Sequence, residues 1–201
     1  MPLASAAASF DGGLYTWVTE LAGRSPAALD SAVRIWSDYG LALFALLMLA
    51  AWWRSRSTAA PARTAAALCA PVVVVAAYLV NDLVKSAFHE QRPCRTLHVV
   101  TVEACPGLGD WSFPSNHAAI AAAAATALWL TDRRLGAIAV PAALLMAASR
   151  VWIGVHYPHD VLVGLVTGAL VAGVLTVAAR RCGPVVVRLR ESPLRPLVTA
   201  R

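Results

Sequence analysis

The chain has 201 residues, of which 59% are hydrophobic and only 14% charged, against about 45–50% and about 25% in an average soluble domain. A mean hydropathy of +0.63 excludes the disordered, collagen-like and small disulfide-scaffold classes. A soluble domain of this size could not hide the apolar runs found here, so the composition points to a single-domain polytopic membrane protein of net charge +6.

A membrane-spanning helix needs about 20 mostly apolar residues. The first stretch, 1–34, falls short of that. It carries Asp11, Glu20, Arg24 and Asp30 and is broken by Gly12, Gly13, Gly23 and Pro26. It has neither the basic start nor the long apolar centre of a cleaved signal peptide. Segments 14–22 and 27–34 read as helices lying in the membrane interface. Five spans follow, at 35–53, 64–84, 117–130, 135–151 and 161–179. The third is short and can extend into Thr131. All five are too apolar to be solvent-facing amphipathic helices. A basic tail, 180–201, completes the chain. The predicted fold is an all-α integral membrane bundle of about five spans, with 35–179 as its membrane domain.

The Lys and Arg content of the loops sets the orientation. One side holds Arg54, Arg56, Arg63, Arg133, Arg134 and six tail arginines, eleven basic residues against Asp132 and Glu191. That side is expected to be cytoplasmic, with the N-terminus outside. The other side holds six basic residues and nine carboxylates. The tail charges read as anchors to anionic lipid. They flank spans instead of forming a soluble basic face, which argues against nucleic acid as a partner.

Three polar clusters remain at the outer ends of spans, where polar groups are expensive and suggest a site. The first runs from Lys85 to Pro93. Lys85 and Arg92 are two helical turns apart and point the same way, and Pro93 ends the helix. Two converging cations can clamp an anion, or simply snorkel to the interface. The second is Pro114-Ser115-Asn116-His117. Ser115 is a good N-cap, the next backbone N–H groups face a bound anion, and His117 sits in the first turn. Alone, this reads as a plain cap. The third is Ser149-Arg150 to Asp160. Pro158 opens the fifth span, His156 lies just before it and Asp160 in its first turn. A carboxylate there can hold one imidazole nitrogen and leave the other free to attack; a lone first-turn acid would merely complement the helix dipole. His159 reads as an interface histidine and Tyr157 as a belt aromatic. Together, three cations, two histidines, one carboxylate and one helix N-terminus supply what phosphoryl transfer through histidine needs.

These motifs resemble the type 2 phosphatidic acid phosphatase superfamily. Its pattern of Lys, six residues, Arg-Pro is matched by Lys85 to Arg92-Pro93. Its Pro-Ser-Gly-His appears as Pro114-Ser115-Asn116-His117, with Asn for Gly. Its Ser-Arg, five residues, His, three residues, Asp is matched by Ser149-Arg150, His156 and Asp160. Leu29-Asp30-Ser31 and the run from Ser149 to Pro158 are similar to the short bacterial bacitracin-resistance-type undecaprenyl-diphosphate phosphatases. The resemblance implies that His156 is the nucleophile, Asp160 its orienting carboxylate and His117 the acid for the leaving oxygen. It implies phosphate binding by Lys85, Arg92, Arg150, Ser115 and the N–H groups of Asn116 and His117, with no metal or other cofactor. Glu90, Glu103 and Asp110 show no spacing typical of a ligand set. The implied substrate is a polyprenyl diphosphate at the outer face of a bacterial plasma membrane, with phosphatidic acid or phosphatidylglycerol phosphate as the alternative. A lipid-phosphate binder or transporter would keep the cations without needing both histidines and Asp160. A purely structural protein would need none of them.

Cys94 and Cys105 bracket an outer loop and can close a disulfide in an oxidising compartment; a zinc site with His98 lacks a fourth ligand nearby. Cys69 and Cys182 read as packing or free thiols. Asp82, three residues before Lys85, is expected to position that lysine. The alanine tract 118–125 permits close helix packing.

Overall fold

The computed structural model describes residues 10–200. Residues 1–9 of the expected interfacial segment and Arg201 of the tail lie outside that range. Among the described residues the chain is helical without strands: α1 (Gly12–Gly23), α2 (Ala27–Tyr39), α3 (Leu41–Ser55), α4 (Pro61–Ala87), α5 (Pro93–Thr96), α6 (Asn116–Thr131), α7 (Arg133–Trp152), α8 (Pro158–Arg180) and α9 (Gly183–Leu189). The prolines open α4, α5 and α8 at the first helical position, where a missing N–H costs nothing.

Helix α6 is the centre of the bundle, packed against α8, α7, α4 and α3. Its alanines are the reason. Ala118, Ala119, Ala121, Ala123, Ala124 and Ala127 are buried, and their small side chains let neighbouring backbones approach closely. The approach is tightest at Gly168 of α8, where a Cβ would lie 2.1 Å from the Ala119 carbonyl oxygen. Outward faces carry leucine and valine instead, such as Leu79, Leu83, Leu145, Leu170 and Val174, all exposed. Apolar outside and small inside is the pattern of a bundle solvated by lipid.

On length and apolarity, α4, α7 and α8 can each cross a membrane, and α2 with α3 can do so as a bent pair. The expected span 35–53 is therefore not one straight helix. It is broken at Gly40, with a 50° bend between α2 and α3. A Cβ at Gly40 would meet the Trp36 carbonyl oxygen at 2.4 Å and Met146 Cε at 2.8 Å, so the close contact with α7 sits at the bend. The expected interfacial helix 27–34 runs on to Tyr39 and joins this pair. Helix α6, at 16 residues, is about 24 Å long, shorter than the hydrocarbon core, and is enclosed by its neighbours.

Two segments expected at the periphery are docked. Helix α1 buries Tyr15, whose hydroxyl donates to the Gly154 carbonyl at 2.8 Å. The basic tail folds back on the α3–α4 end. Val186 and Val198 pack with Ala65, and Trp52 Nε1 donates to the Leu197 carbonyl.

Candidate active site

The three sequence clusters meet at one end of the bundle. Lys85 comes from the last turn of α4, Arg150 from the last turn of α7, and Ser115 and His117 from the start of α6. His156 lies in the turn between α7 and α8, and Asp160 in the first turn of α8. That turn depends on Gly154, at φ +89°, where a Cβ would also strike Thr101 at 2.3 Å. Only glycine suits both conditions.

His156 is buried and bracketed. Its Nδ1 lies 3.2 Å from Asp160 Oδ2 and 3.4 Å from Ser112 Oγ. Its Nε2 lies 3.3 Å from Arg92 Nη1. Asp160 Oδ2 also accepts from the Tyr157 backbone N–H at 2.8 Å and from the Ser112 hydroxyl. The carboxylate is thus fixed by two donors and turned toward Nδ1, which leaves Nε2 as the nitrogen facing the cations. Burial pushes the His156 imidazole down to about 3; the hydrogen bond with Asp160 opposes this and the charge of Arg92 reinforces it. A neutral imidazole at neutral pH is a nucleophile.

The cations are held by the irregular segment between α5 and α6. Lys85 Nζ donates to the Trp111 carbonyl at 2.8 Å. Arg92 Nε donates to the Asp110 carbonyl at 2.9 Å, Nη2 to Asp110 Oδ1 at 2.8 Å and Nη1 to the Val155 carbonyl at 2.8 Å. Burial works to raise the Asp110 carboxyl, but the hydrogen bond and charge of Arg92 hold it below its usual range. Arg150 Nη1 donates to Ser37 Oγ of α2 at 2.7 Å. His117 stands in the first turn of α6, with Arg150, Arg92 and Lys85 as charged neighbours. Two buried donors, Ser115 Oγ and Arg150 Nε, have no hydrogen-bond partner among the described residues. Buried donors are normally paired, and a phosphate oxygen would satisfy both. A pocket of about 470 Å³ opens beside Lys85, lined by His89, Asp110, Trp111 and Asn116 among others.

Several sequence expectations change here. Helix α4 ends at Ala87, so Arg92 reaches Lys85's side through the extended chain before α5, not as part of one helix. Ser115 occupies the N-cap position, but its hydroxyl makes no capping bond and stays available. Asp82 does not hold Lys85. Asp82 Oδ1 accepts from Asn116 Nδ2 at 3.2 Å, while Asn116 Oδ1 accepts from Asn81 Nδ2 at 2.7 Å. Tyr157 is no belt aromatic: it is buried, with its hydroxyl 2.7 Å from Thr96 Oγ1. His159 is not a bare interface residue. Its Nδ1 lies 3.1 Å from Asp11 Oδ1 and its Nε2 3.2 Å from Glu90 Oε2. Glu90, His159 and Asp160 bring ligand-type atoms within 4.8 Å of one another, with Asp160 Oδ1 3.3 Å from His159 Nε2 and Oδ2 turned to His156, Tyr157 and Ser112. The structure bonds Cys94 to Cys105. Glu103, inside that loop, donates its backbone N–H to the Ile153 carbonyl at 3.3 Å, which seats the loop on the turn before His156. Cys69 and Cys182 are free.

Ser112, Asp110 and Ser37 are site neighbours that sequence reasoning missed. Ser112 and Asp110 lie in a segment with no periodicity, and Ser37 lies 113 residues from Arg150. No spacing rule connects such positions.

The PAP2 superfamily profile matches residues 66–183, from within α4 to the first residue of α9. Undecaprenyl-diphosphatase BcrC of Bacillus subtilis is 32% identical over 145 residues, covering 71% of each chain. Decaprenylphosphoryl-5-phosphoribose phosphatase of Mycobacterium tuberculosis is 37% identical over 119 residues, covering 58% of this chain and 63% of that protein. The crystal structure of Aquifex aeolicus LpxE superposes with a TM-score of 0.63 at 23% identity, over 89% of this chain and 99% of that one; this is a likeness of fold. The chain belongs to the PAP2 superfamily.

Proposed function

We propose that the chain is a multi-pass bacterial plasma-membrane phosphatase that hydrolyses a polyprenyl diphosphate, undecaprenyl diphosphate foremost, to the monophosphate and inorganic phosphate. The observation that carries this reading is the two-sided bracketing of His156, with Asp160 and Ser112 at Nδ1 and Arg92 at Nε2. The name of the Bacillus subtilis relative supports the substrate.

Nε2 of His156 attacks the terminal phosphorus as the bond to the bridging oxygen breaks. His117 gives a proton to that oxygen, which leaves with the lipid monophosphate. Water then attacks the phosphohistidine, its proton passes to His117, and inorganic phosphate departs. Lys85, Arg92, Arg150, Ser115 and the N–H groups of Asn116 and His117 hold the phosphoryl oxygens as charge builds up on them. Asp160 keeps the Nδ1 proton in place and stabilises the charged ring.

Five spans serve this reading: the bent α2–α3 pair, α4, α6, α7 and α8, with the N-terminus outside and the arginine-rich end in the cytoplasm. The site then faces outward at headgroup depth, and a long isoprenoid tail stays in the bilayer. The apolar groove between α2 and α7, about 350 Å³ and lined by Val33, Trp36, Leu145 and Trp152 among others, is a lateral seat for such a tail.

The test is phosphate release in detergent micelles with chelator present, comparing undecaprenyl diphosphate with phosphatidic acid for wild type and His156→Ala. Chelator-resistant release from the diphosphate, lost in the variant, is expected. A preference for phosphatidic acid would overturn the substrate, and release by His156→Ala would overturn the mechanism.

A further inference from the structure

At the opposite end of the bundle, a second cationic centre is built from helix ends distant in sequence. A cleft of about 720 Å³ is lined by Arg54, Arg63, Arg133, Arg134 and Arg180, together with Asp132 and the apolar Trp129 and Leu130. It lies a full length of α6 away from His117, about 24 Å, so it is no part of the phosphatase site.

Its charges are organised. Asp132 is buried and caps α7, accepting from the Arg134 backbone N–H at 3.1 Å through Oδ1. Asp132 Oδ2 takes Arg54 Nε at 2.8 Å and Arg63 Nη2 at 2.9 Å. One carboxylate thus gathers two arginines from α3 and α4 at the cleft and neutralises only one of them. Arg133 and Arg134 enter from the start of α7, and Arg180 from the end of α8, donating to the Leu130 carbonyl. Five guanidinium groups against one carboxylate leave a large positive excess. Arginines that merely flank spans have no need to converge around one cavity. Planar forks are suited to bidentate phosphate contacts, and Trp129 and Leu130 offer an apolar wall beside them.

We propose that this cleft binds a phosphate-bearing anion, either the headgroup of an acidic phospholipid or free phosphate, as a site separate from catalysis. In the orientation proposed above it opens to the cytoplasmic leaflet, where acidic headgroups are abundant; the binding itself does not rest on that orientation.

The test uses the full chain in detergent micelles. Dioleoyl phosphatidylglycerol, dioleoyl phosphatidylcholine and inorganic phosphate are titrated separately, with bound lipid counted by native mass spectrometry and phosphate followed by thermal shift. The variants are Arg133→Gln/Arg180→Gln, which touches neither the Asp132 pairs nor any residue of the phosphatase site, and Asp132→Asn, which keeps a capping oxygen but frees Arg54 and Arg63. Wild type should hold one phosphatidylglycerol in preference to phosphatidylcholine. The double variant should bind it at least tenfold more weakly, with unchanged turnover. Asp132→Asn should bind it more tightly. A phosphate-induced shift lost in the double variant assigns the site to free phosphate; lipid loss without that change assigns it to headgroups. Equal phosphatidylglycerol binding by wild type and the double variant overturns the proposal, as does weaker binding by a folded Asp132→Asn protein. If Asp132→Asn does not fold, the double variant decides.

Discussion

Asp160 Oδ2 lies 3.2 Å from His156 Nδ1 while accepting the Tyr157 backbone N–H at 2.8 Å. The same oxygen therefore anchors the start of α8 and orients the ring. Because one atom serves both, Asp160→Asn either keeps its oxygen there and loses the negative charge behind the ring, or turns its amide there, which gives up the Tyr157 acceptor and favours the wrong tautomer. In serine-protease triads the equivalent change lowers kcat about 10⁴-fold. We expect a loss of about 10²–10⁴-fold in kcat with melting little changed. Turnover within a few-fold of wild type would remove Asp160 from the orienting role.

Burial holds the His156 imidazole down to about 3, so the ring stays neutral well below the usual histidine range. The unfolded chain takes up this proton near pH 6.5 and the folded one does not. Stability from this group is therefore complete above pH 6.5 and falls as pH drops toward 3. Histidine-selective ¹⁵N NMR in micelles, with His156→Gln used for assignment, should show a neutral ring at pH 5. A His156 resonance titrating near 6.5 would contradict the buried geometry.

Asn116 stands where the superfamily pattern has glycine, and its amide is tied to Asn81 and Asp82. Asn116→Gly removes both hydrogen bonds and should cost about 1–2 kcal/mol of stability, read as a lower melting temperature. Its backbone N–H remains, so kcat/KM should stay within about tenfold. An unchanged melting temperature would show that the amide contacts carry no stability.

Arg150 spends one Nη on Ser37 and keeps a buried Nε with no partner among the described residues. Lysine at this position has the charge without the fork. Arg150→Lys is expected to lose at least about 10²-fold in kcat/KM, whereas Ser37→Ala, which only loosens the arginine, should lose far less. Wild-type kinetics in Arg150→Lys would reduce Arg150 to an interfacial anchor.

The Cys94–Cys105 bond joins residues eleven apart, and closing such a loop stabilises by roughly 3 kcal/mol in the chain-entropy model. The loop rests on the turn that carries His156. Reduction, or Cys94→Ser/Cys105→Ser, should lower both melting temperature and turnover. Identical melting with and without reductant would contradict this.

Much of the arrangement was legible from spacing. The ends of α4, α7 and α8 fall within three residues of the expected spans because apolar runs and flanking prolines and charges mark them. Lys85, Arg92, His117, Arg150, His156 and Asp160 converge because each lies at a helix end or in a short connection on one side of the bundle. Spacing could not reveal Gly40 as a bend, since the apolar run continues through it and the break answers to contact with Met146. Nor could it reveal the Ser112 and Asp110 supports or the Asn116–Asp82 pairing, which are set by how an irregular segment folds over the helix ends. The tail reads as a lipid anchor because its six arginines dominate the reading, yet Val186 and Val198 also dock it against Ala65.

The central claim is that phosphate passes through His156. Rapid quenching of wild type mixed with terminally ³²P-labelled undecaprenyl diphosphate tests it most directly. The account predicts an acid-labile, base-stable phosphoprotein within one turnover, enriched in His117→Ala provided that variant still forms it, and absent from His156→Ala. A labelled protein in His156→Ala, or release of phosphate by wild type with no labelled protein at any time, would contradict it.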